Sequence, residues 1–231
     1  MEHADRRLVV ASGNPGKLRE FRRLLERLPY TLVSQAELGV SPPAETGTSF
    51  VENALIKARH AGAAAGSAAL ADDSGLEVDA LGGSPGIFSA RFAGDGADDA
   101  MNNAKLLAAL AGVPAEHRGA RYRCALVFLR SAGDPAPLIA EGVWEGWILT
   151  APRGTGGFGY DPLFWVPECG ASAAELAAAD KDRLSHRARA IAALSAALEA
   201  FAAGSAAAGS ATVGLPGPHA AAAHTNGDRG R

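Results

Sequence analysis

Apolar and polar positions follow two rhythms along this chain. Arg7-Leu8-Val9-Val10-Ala11-Ser12 is a short β-branched run, and it breaks at Gly13-Asn14-Pro15-Gly16. After the break Leu18, Phe21, Leu24, Leu25 and Leu28 recur at helical spacing, while Lys17, Arg19, Glu20, Arg22, Arg23 and Glu26 fill the other face. The pattern predicts strand, tight loop and helix, with Pro29 as the stop and a second strand over residues 30–34. An irregular stretch follows, and Ser49-Phe50-Val51-Glu52 then reads as a capping box opening a helix that runs to about Gly66.

The next apolar run, Ala69-Leu70-Ala71, ends in Asp72-Asp73-Ser74-Gly75 before Leu76-Glu77-Val78 resumes a strand pattern. Strand side chains alternate faces, so the two carboxylates are expected on opposite sides. Asp-Ser-Gly is equally ordinary turn composition. Residues 82–91 form a glycine-rich loop, and a helix opened by Asp98 and Asp99 shows Met101, Leu106, Leu107 and Leu110 on one face before Gly112. Two long strands, over 121–130 and 138–149, flank a Gly/Pro turn. That antiparallel pair predicts an α/β fold with a mixed sheet. Beyond the glycine loop at 153–162, residues 163–166 read as a buried strand and 173–178 as a short helix. Ser185 is placed to cap a long alanine-rich helix to about Ala203.

Composition narrows the class. With 231 residues, 48% of them hydrophobic and 20% charged, the chain resembles ordinary globular domains with one substantial core. The folded unit is expected over 6–203; residues 204–231 are Ala, Gly, Ser and Pro without a periodic face, which predicts a disordered and dispensable tail. A net charge of −3 gives no global field for nucleic acid, so a polyanionic ligand must meet local lysines and arginines. Cys124 and Cys169 fit neither a disulfide framework nor a zinc site, which suits a reducing cytoplasm. No signal-peptide core and no membrane-length apolar run is expected.

Three stretches carry candidate chemistry. A strand-to-helix loop aims N–H groups and the positive end of a helix dipole at one spot, which suits a phosphate, and Lys17 is placed to join them. The loop matches neither the P-loop nor the three-glycine dinucleotide spacing, and a plain αβ turn explains it equally well. Four glycines interleaved with Phe158 and Tyr160 give a backbone that a planar ring can approach, with both aromatic faces available for stacking, or simply a glycine-rich hairpin loop with structural aromatics. His186 and Arg187 fall in a helix's first turn, where cations are disfavoured, so they call for a ligand or carboxylate partner unless they are merely exposed.

In this order the segments resemble the inosine/xanthosine triphosphate pyrophosphatases. The likeness rests on Ser12-Gly13-Asn14-Pro15-Gly16-Lys17, on Glu45-Thr46-Gly47 with Phe50-Val51-Glu52-Asn53-Ala54 and Lys57-Ala58, and on Ala71-Asp72-Asp73-Ser74-Gly75-Leu76. It continues through residues 82–91 and 154–162 to Ser185-His186-Arg187. The resemblance implies an elongated mixed sheet of two lobes with a nucleotide cleft between them, and a homodimer. It also implies that Ser12, Gly13, Asn14, Pro15, Gly16, Lys17, Lys57 and Ser74 meet the phosphates. Phe158, Gly159, Tyr160 and Asp161 would form the nucleoside pocket, with Lys181, His186 and Arg187 completing recognition. Asp73 would be the catalytic carboxylate and a Mg²⁺ ligand, and Glu45 a second metal carboxylate.

The implied reaction splits a deaminated purine nucleoside triphosphate into monophosphate and pyrophosphate. Lysines, helix N-termini and Mg²⁺ are the groups that stabilise a polyphosphate leaving group. Whether Asp73 is general base or metal ligand is left open by sequence, and Asp72 is assigned a supporting role, as a hydrogen-bond partner or a ligand to a metal-bound water. A non-catalytic nucleotide-binding module and a dinucleotide-dependent oxidoreductase are the alternatives, the latter weakened by the missing glycines.

Overall fold

The computed structural model describes residues 7–26 and 30–210, the side chains of 201–210 excepted. In chain order the elements are β1 (Arg7–Val10), α1 (Pro15–Leu24), β2 (Thr31–Ser34), α2 (Phe50–Ala65), β3 (Ala68–Val78) and α3 (Asp99–Ala109). There follow β4 (Gly119–Leu129), β5 (Leu138–Ile148), β6 (Phe164–Val166), β7 (Ala171–Ser172), α4 (Ala178–Leu184) and α5 (His186–Ser210). One seven-stranded sheet runs β2-β1-β3-β4-β5-β6-β7. Its first three strands are parallel and the rest antiparallel, so the sheet is mixed as expected.

From β2 through β6 the register keeps residue parity constant: Leu8 pairs Ala68, Leu70 pairs Phe128, Leu76 pairs Tyr122, and Tyr122 pairs Trp144, whereas β6 meets β7 with Trp165 opposite Ser172. In β1 to β6 every even-numbered side chain therefore points to one face and every odd-numbered one to the other. The odd face is covered by α2, whose Ala54, Ala58 and Ala61 pack on Val9, Ala69, Ala71 and Val127. Small side chains on both partners let helix and sheet approach closely.

The even face carries two separate cores. Leu8, Val10, Leu70, Leu126 and Phe128 pack under Phe21 and Leu25 beside α5 residues Ala190, Ile191 and Leu194. Farther along the same strands Leu76, Val78, Tyr122 and Trp144 pack under Leu106 and Leu110 of α3 and against Phe164 of β6. Between these two apolar patches, β3 presents Asp72 and Ser74.

Several expectations need correction. The acidic pair lies mid-strand, because β3 runs unbroken through Ser74 and Gly75. Gly75 makes no turn; it is small because a Cβ there would lie 2.3 Å from the Gly86 carbonyl and 2.5 Å from Ser89 Oγ. Residues 173–177 are not helical. Ala173 and Ala174 donate their N–H groups to Phe164 and Asp161, which pins the segment to its neighbours, and α4 starts later. Met101 is exposed, leaving Leu106 and Leu110 as the inner face of α3. The last helix passes Ala203 to Ser210, since the alanine-rich sequence keeps high helix propensity across Gly204. Residues 211–231 of the expected tail, like Leu28 and Pro29, lie outside the described residues.

Candidate active site

Chemistry gathers where β3 outruns its parallel neighbour. The β1–β3 ladder ends at Val10 and Leu70, and Ala11 N–H makes a last bond to the Leu70 carbonyl at 2.8 Å before the chain turns into α1. Asp72 and Asp73 come just beyond that point. This is the carboxyl end of the parallel strands, where open α/β sheets place ligands.

On the even face Asp72 is the hub. Its Oδ2 lies 2.8 Å from Lys17 Nζ and 3.6 Å from an Arg187 Nη, and it accepts the Ser74 hydroxyl at 3.0 Å. Arg187 also donates to Ser74 Oγ at 3.1 Å and to the carboxylate of Glu20. Burial alone would raise the pKa of Asp72, but Lys17 and Arg187 more than compensate and hold it well below the usual carboxylate range. Glu20 approaches Lys181 at 3.5 Å, and Lys181 in turn donates to Asp161. Anions and cations thus alternate across the cleft, Asp161, Lys181, Glu20, Arg187, Asp72, Lys17. Removing any one member leaves its neighbours short of counter-charge.

The start of α1 is capped from within. Asn14 Oδ1 accepts the N–H groups of Gly16 and Lys17 at 2.8 and 3.1 Å, and Ser12 Oγ accepts Asn14 N–H at 3.2 Å. Pro15, lacking an N–H, opens the helix at no cost, and Gly13 stands clear of other groups. Gly16 has no side chain where one would collide with Phe158 at 2.6 Å, so the β1–α1 loop and the aromatic loop touch directly.

Phe158 lies across the cleft, its ring centroid 4.8 Å from Lys181 Nζ and 5.8 Å from the Arg187 guanidinium carbon. A π face on two cations is favourable, and a base can take up the same kind of stacking. Tyr160 does not offer its face as expected. It is buried in the core, and its hydroxyl donates to the Ser89 carbonyl at 2.8 Å. Asp161 accepts Phe158 N–H at 2.9 Å and the Tyr122 hydroxyl at 3.3 Å. Its pKa is raised, burial outweighing the attraction of Lys181.

His186 is buried and stacked on Tyr122, with centroids 4.7 Å apart and planes 11° apart. Burial first, then Arg187, Lys181 and Lys17, push its pKa far down, so the imidazole is neutral at physiological pH. It therefore offers one N–H donor and no charge. Among the described residues its Nδ1, Arg187 Nε and Asp72 Oδ1 have no hydrogen-bond partner. The cavity that His186, Tyr122, Phe158 and Ser74 help to line measures about 220 Å³. That is below the roughly 300 Å³ of the smallest drug-sized sites, so it holds a base more readily than a whole nucleotide. Cys124, at the back, is no nucleophile: burial beside Asp72 pushes its thiol up to about 12.

Asp73 turns the other way. Its Oδ1 lies 2.8 Å from Lys57 Nζ and its Oδ2 accepts from Asn53 Nδ2 at 3.2 Å, both from α2. Lys57 also donates to Glu45 at 2.9 Å, and Arg91 reaches the second Glu45 oxygen at 3.2 Å. Burial raises the pKa of Asp73 above that of an ordinary carboxylate despite Lys57. Burial opposes the charge of Lys57, but Asp73 and Asp72 outweigh it and keep the ammonium protonated. For Glu45 burial acts upward, yet Lys57 and Arg91 bring its pKa below the ordinary value. Two carboxylates bracketing one ammonium form a hard-oxygen pair of the kind that shares Mg²⁺ with substrate phosphates. Among the described residues no group of three or more His, Cys, Asp or Glu converges, so an all-protein cage is not what these residues build.

The structure thus joins Asn14, Lys17, Ser74, the 158–161 loop, Lys181, His186 and Arg187 around one cavity, and places Lys57, Glu45 and Asp73 on the opposite face of β3. Lys57 accordingly belongs with the carboxylates and not with Lys17. Sequence reading assigned Glu20 to the solvent face, yet it is buried between Arg187 and Lys181. The available signal was its position three residues after Lys17, which puts both on one side of α1. Asp72, assigned a supporting role, holds the two cations nearest the cleft.

A sequence profile of the Ham1 family matches residues 8–197. Among curated relatives, a dITP/XTP pyrophosphatase of Xanthomonas campestris pv. campestris (strain 8004) is 62% identical over 187 residues, covering 81% of this chain and 94% of that protein. A dITP/XTP pyrophosphatase of Methylococcus capsulatus is 58% identical over 199 residues, 86% of this chain and 99% of its own. Among solved structures, a HAM1 protein from Coxiella burnetii superposes with a TM-score of 0.77 at 47% identity, covering 84% of this chain and 98% of that one.

Proposed function

The chain belongs to the Ham1 family, and on that premise we propose that it hydrolyses deaminated purine nucleoside triphosphates, those of deoxyinosine, inosine and xanthosine, to the monophosphate and pyrophosphate. One observation carries the reading at atomic level. A single strand sends Asp72 to a cation-lined cleft with an aromatic lid, and Asp73 to a carboxylate–lysine cluster on the reverse. A nucleotide needs the first arrangement for binding and hydrolysis needs the second.

In this reading the purine enters beside Phe158, His186 and Arg187, and the triphosphate runs past Ser74 and Lys17. Lys17 exchanges part of its contact with Asp72 for phosphate oxygens. Glu45 and Asp73 are the residues that would hold Mg²⁺. When bound, that ion supplies charge neutralisation and Lewis acidity at the phosphates. Asp73, fixed by Lys57 and Asn53, orients the attacking water and takes up its proton. Lys57 holds the Asp73 carboxylate in place and adds positive charge as the pyrophosphate departs. Water and the triphosphate give monophosphate and pyrophosphate, so no further reactant is needed.

Base choice follows from donors. Neutral His186 and the Arg187 guanidinium present N–H groups to a 6-oxo purine, where adenine carries a donor of its own and is repelled. Among the described residues no helix is long and apolar enough to cross a membrane. Both cysteines are free thiols, which supports action on a nucleotide pool in a reducing cytoplasm. The enzyme works as a homodimer in this proposal; exposed Ile139 and Trp147 on β5 support a further contact surface. Product identification with deoxyinosine triphosphate tests the reading, and sedimentation tests the dimer.

A further inference from the structure

The loop that closes the cleft is held by a helix assigned no part in the reaction so far. Asp99 Oδ2 accepts Gly159 N–H at 2.6 Å, and Asn103 Nδ2 donates to the Gly159 carbonyl at 2.8 Å. Asp99 and Asn103 stand four apart, one turn along the same face of α3. Both backbone polar groups of one residue are thereby fixed by one rigid element. Gly159 has φ of +64°, a conformation that a side chain disfavours, and it sits directly between Phe158 and Tyr160.

The helix itself is braced. Asn102 accepts Ala93 N–H at 2.8 Å and donates to the Ala90 carbonyl at 3.2 Å, gripping both sides of Arg91. Tyr160 bonds Ser89 in the same turn of chain. Gly159 therefore cannot rotate alone: turning its peptides breaks the Asp99 and Asn103 bonds against a helix that is anchored elsewhere.

We propose that Asp99 and Asn103 are positioning residues for nucleotide binding, clamping Gly159 so that Phe158 is presented to the base. The clamp rests on the reading of residues 158–161 as the nucleoside loop. Its energetic logic is preorganisation. A loop already held in the binding conformation spares the substrate the cost of ordering it, and loss of that holding is felt in binding more than in the chemical step.

Three variants test it: Asp99→Ala, Asp99→Asn, which keeps an acceptor oxygen, and Asp98→Ala, which removes the α3 cap on Met101 N–H without touching Gly159. The readouts are steady-state hydrolysis of deoxyinosine triphosphate and amide hydrogen exchange across residues 157–161. Asp99→Ala should raise KM at least about tenfold with kcat within about threefold, and speed exchange at Gly159. Asp99→Asn should return KM to within about threefold of the parent. Asp98→Ala should lower thermal stability and leave KM in place. An unchanged KM in Asp99→Ala, no rescue by Asn, or an equal KM rise in Asp98→Ala would overturn the clamp. A parent enzyme that releases no pyrophosphate would sink the functional reading instead, while exchange at Gly159 would still decide whether Asp99 holds the loop.

Discussion

Asp72 and Asp73 are consecutive residues whose carboxylates are committed to opposite faces of one strand, Asp72 to Lys17 and Arg187, Asp73 to Lys57 and Asn53. Strand geometry enforces the division, and the division sets two chemical characters. Asp72 is held ionised among cations, whereas Asp73 is buried enough to gain proton affinity. Substitution at the two sites should consequently damage different properties.

Replacing Asp73 by Asn removes the proposed proton acceptor and metal carboxylate while keeping the side-chain volume. We expect kcat to fall at least about a hundredfold, with nucleotide binding retained. Pyrophosphate release and equilibrium binding of deoxyinosine triphosphate check it together, and full turnover in the variant would remove Asp73 from the chemistry.

Asp72→Asn should act on stability. It leaves Lys17 and Arg187 without their shared counter-charge, at a cost of about 3 kcal/mol, because Arg187 retains Glu20. A carboxylate whose folded pKa is depressed contributes stability that is present above its unfolded value and lost as pH falls below it. The gap between parent and variant should thus be full at pH 7 and shrink below about pH 4. Denaturant unfolding at both pH values measures it; a gap unchanged by acid would contradict the assignment.

His186 follows the same linkage at a higher pH. Burial and three nearby cations depress its folded pKa, so the unfolded chain takes up a proton below about pH 6.5 that the folded protein refuses. Stability from this group is complete above that pH and declines as acid is added. From pH 7.5 to 5.5 the parent should lose roughly 1 kcal/mol more than His186→Phe, which keeps a ring on Tyr122. Equal slopes would mean that His186 protonates in the folded state.

Much of this was legible in the sequence, and the failures share a cause. The β1–α1 loop, the α2 cap at Ser49 and the opposed faces of Asp72 and Asp73 follow from local rules of period and capping. What local rules miss is partnership across the chain. Glu20 looks like a solvent residue until α4 and α5 bring Lys181 and Arg187 to it, and Tyr160 looks like a free ring until Ser89 takes its hydroxyl. Gly75 reads as a turn because its real reason, the Gly86 carbonyl above it, lies eleven residues away.

Gly142 is a further position of this kind. A Cβ there would lie 2.0 Å from the His186 carbonyl and 2.6 Å from Ala190 N, so β5 and the start of α5 meet backbone to backbone. Gly142→Ala should cost about 1–3 kcal/mol and displace the turn that carries His186 and Arg187. Thermal unfolding with a parallel activity assay checks both effects, and a variant with parental stability would show that α5 is free to shift.

The central claim is that the two faces of β3 together cut a deaminated purine triphosphate between its α and β phosphorus atoms. Its most direct test is product analysis of deoxyinosine triphosphate incubated with the enzyme and Mg²⁺, with and without chelator, beside the Lys17→Ala variant. The account predicts deoxyinosine monophosphate and pyrophosphate in equal amounts, abolished by chelator and reduced at least about a hundredfold by Lys17→Ala. Release of inorganic phosphate with the diphosphate, or an undiminished rate in Lys17→Ala, would contradict it.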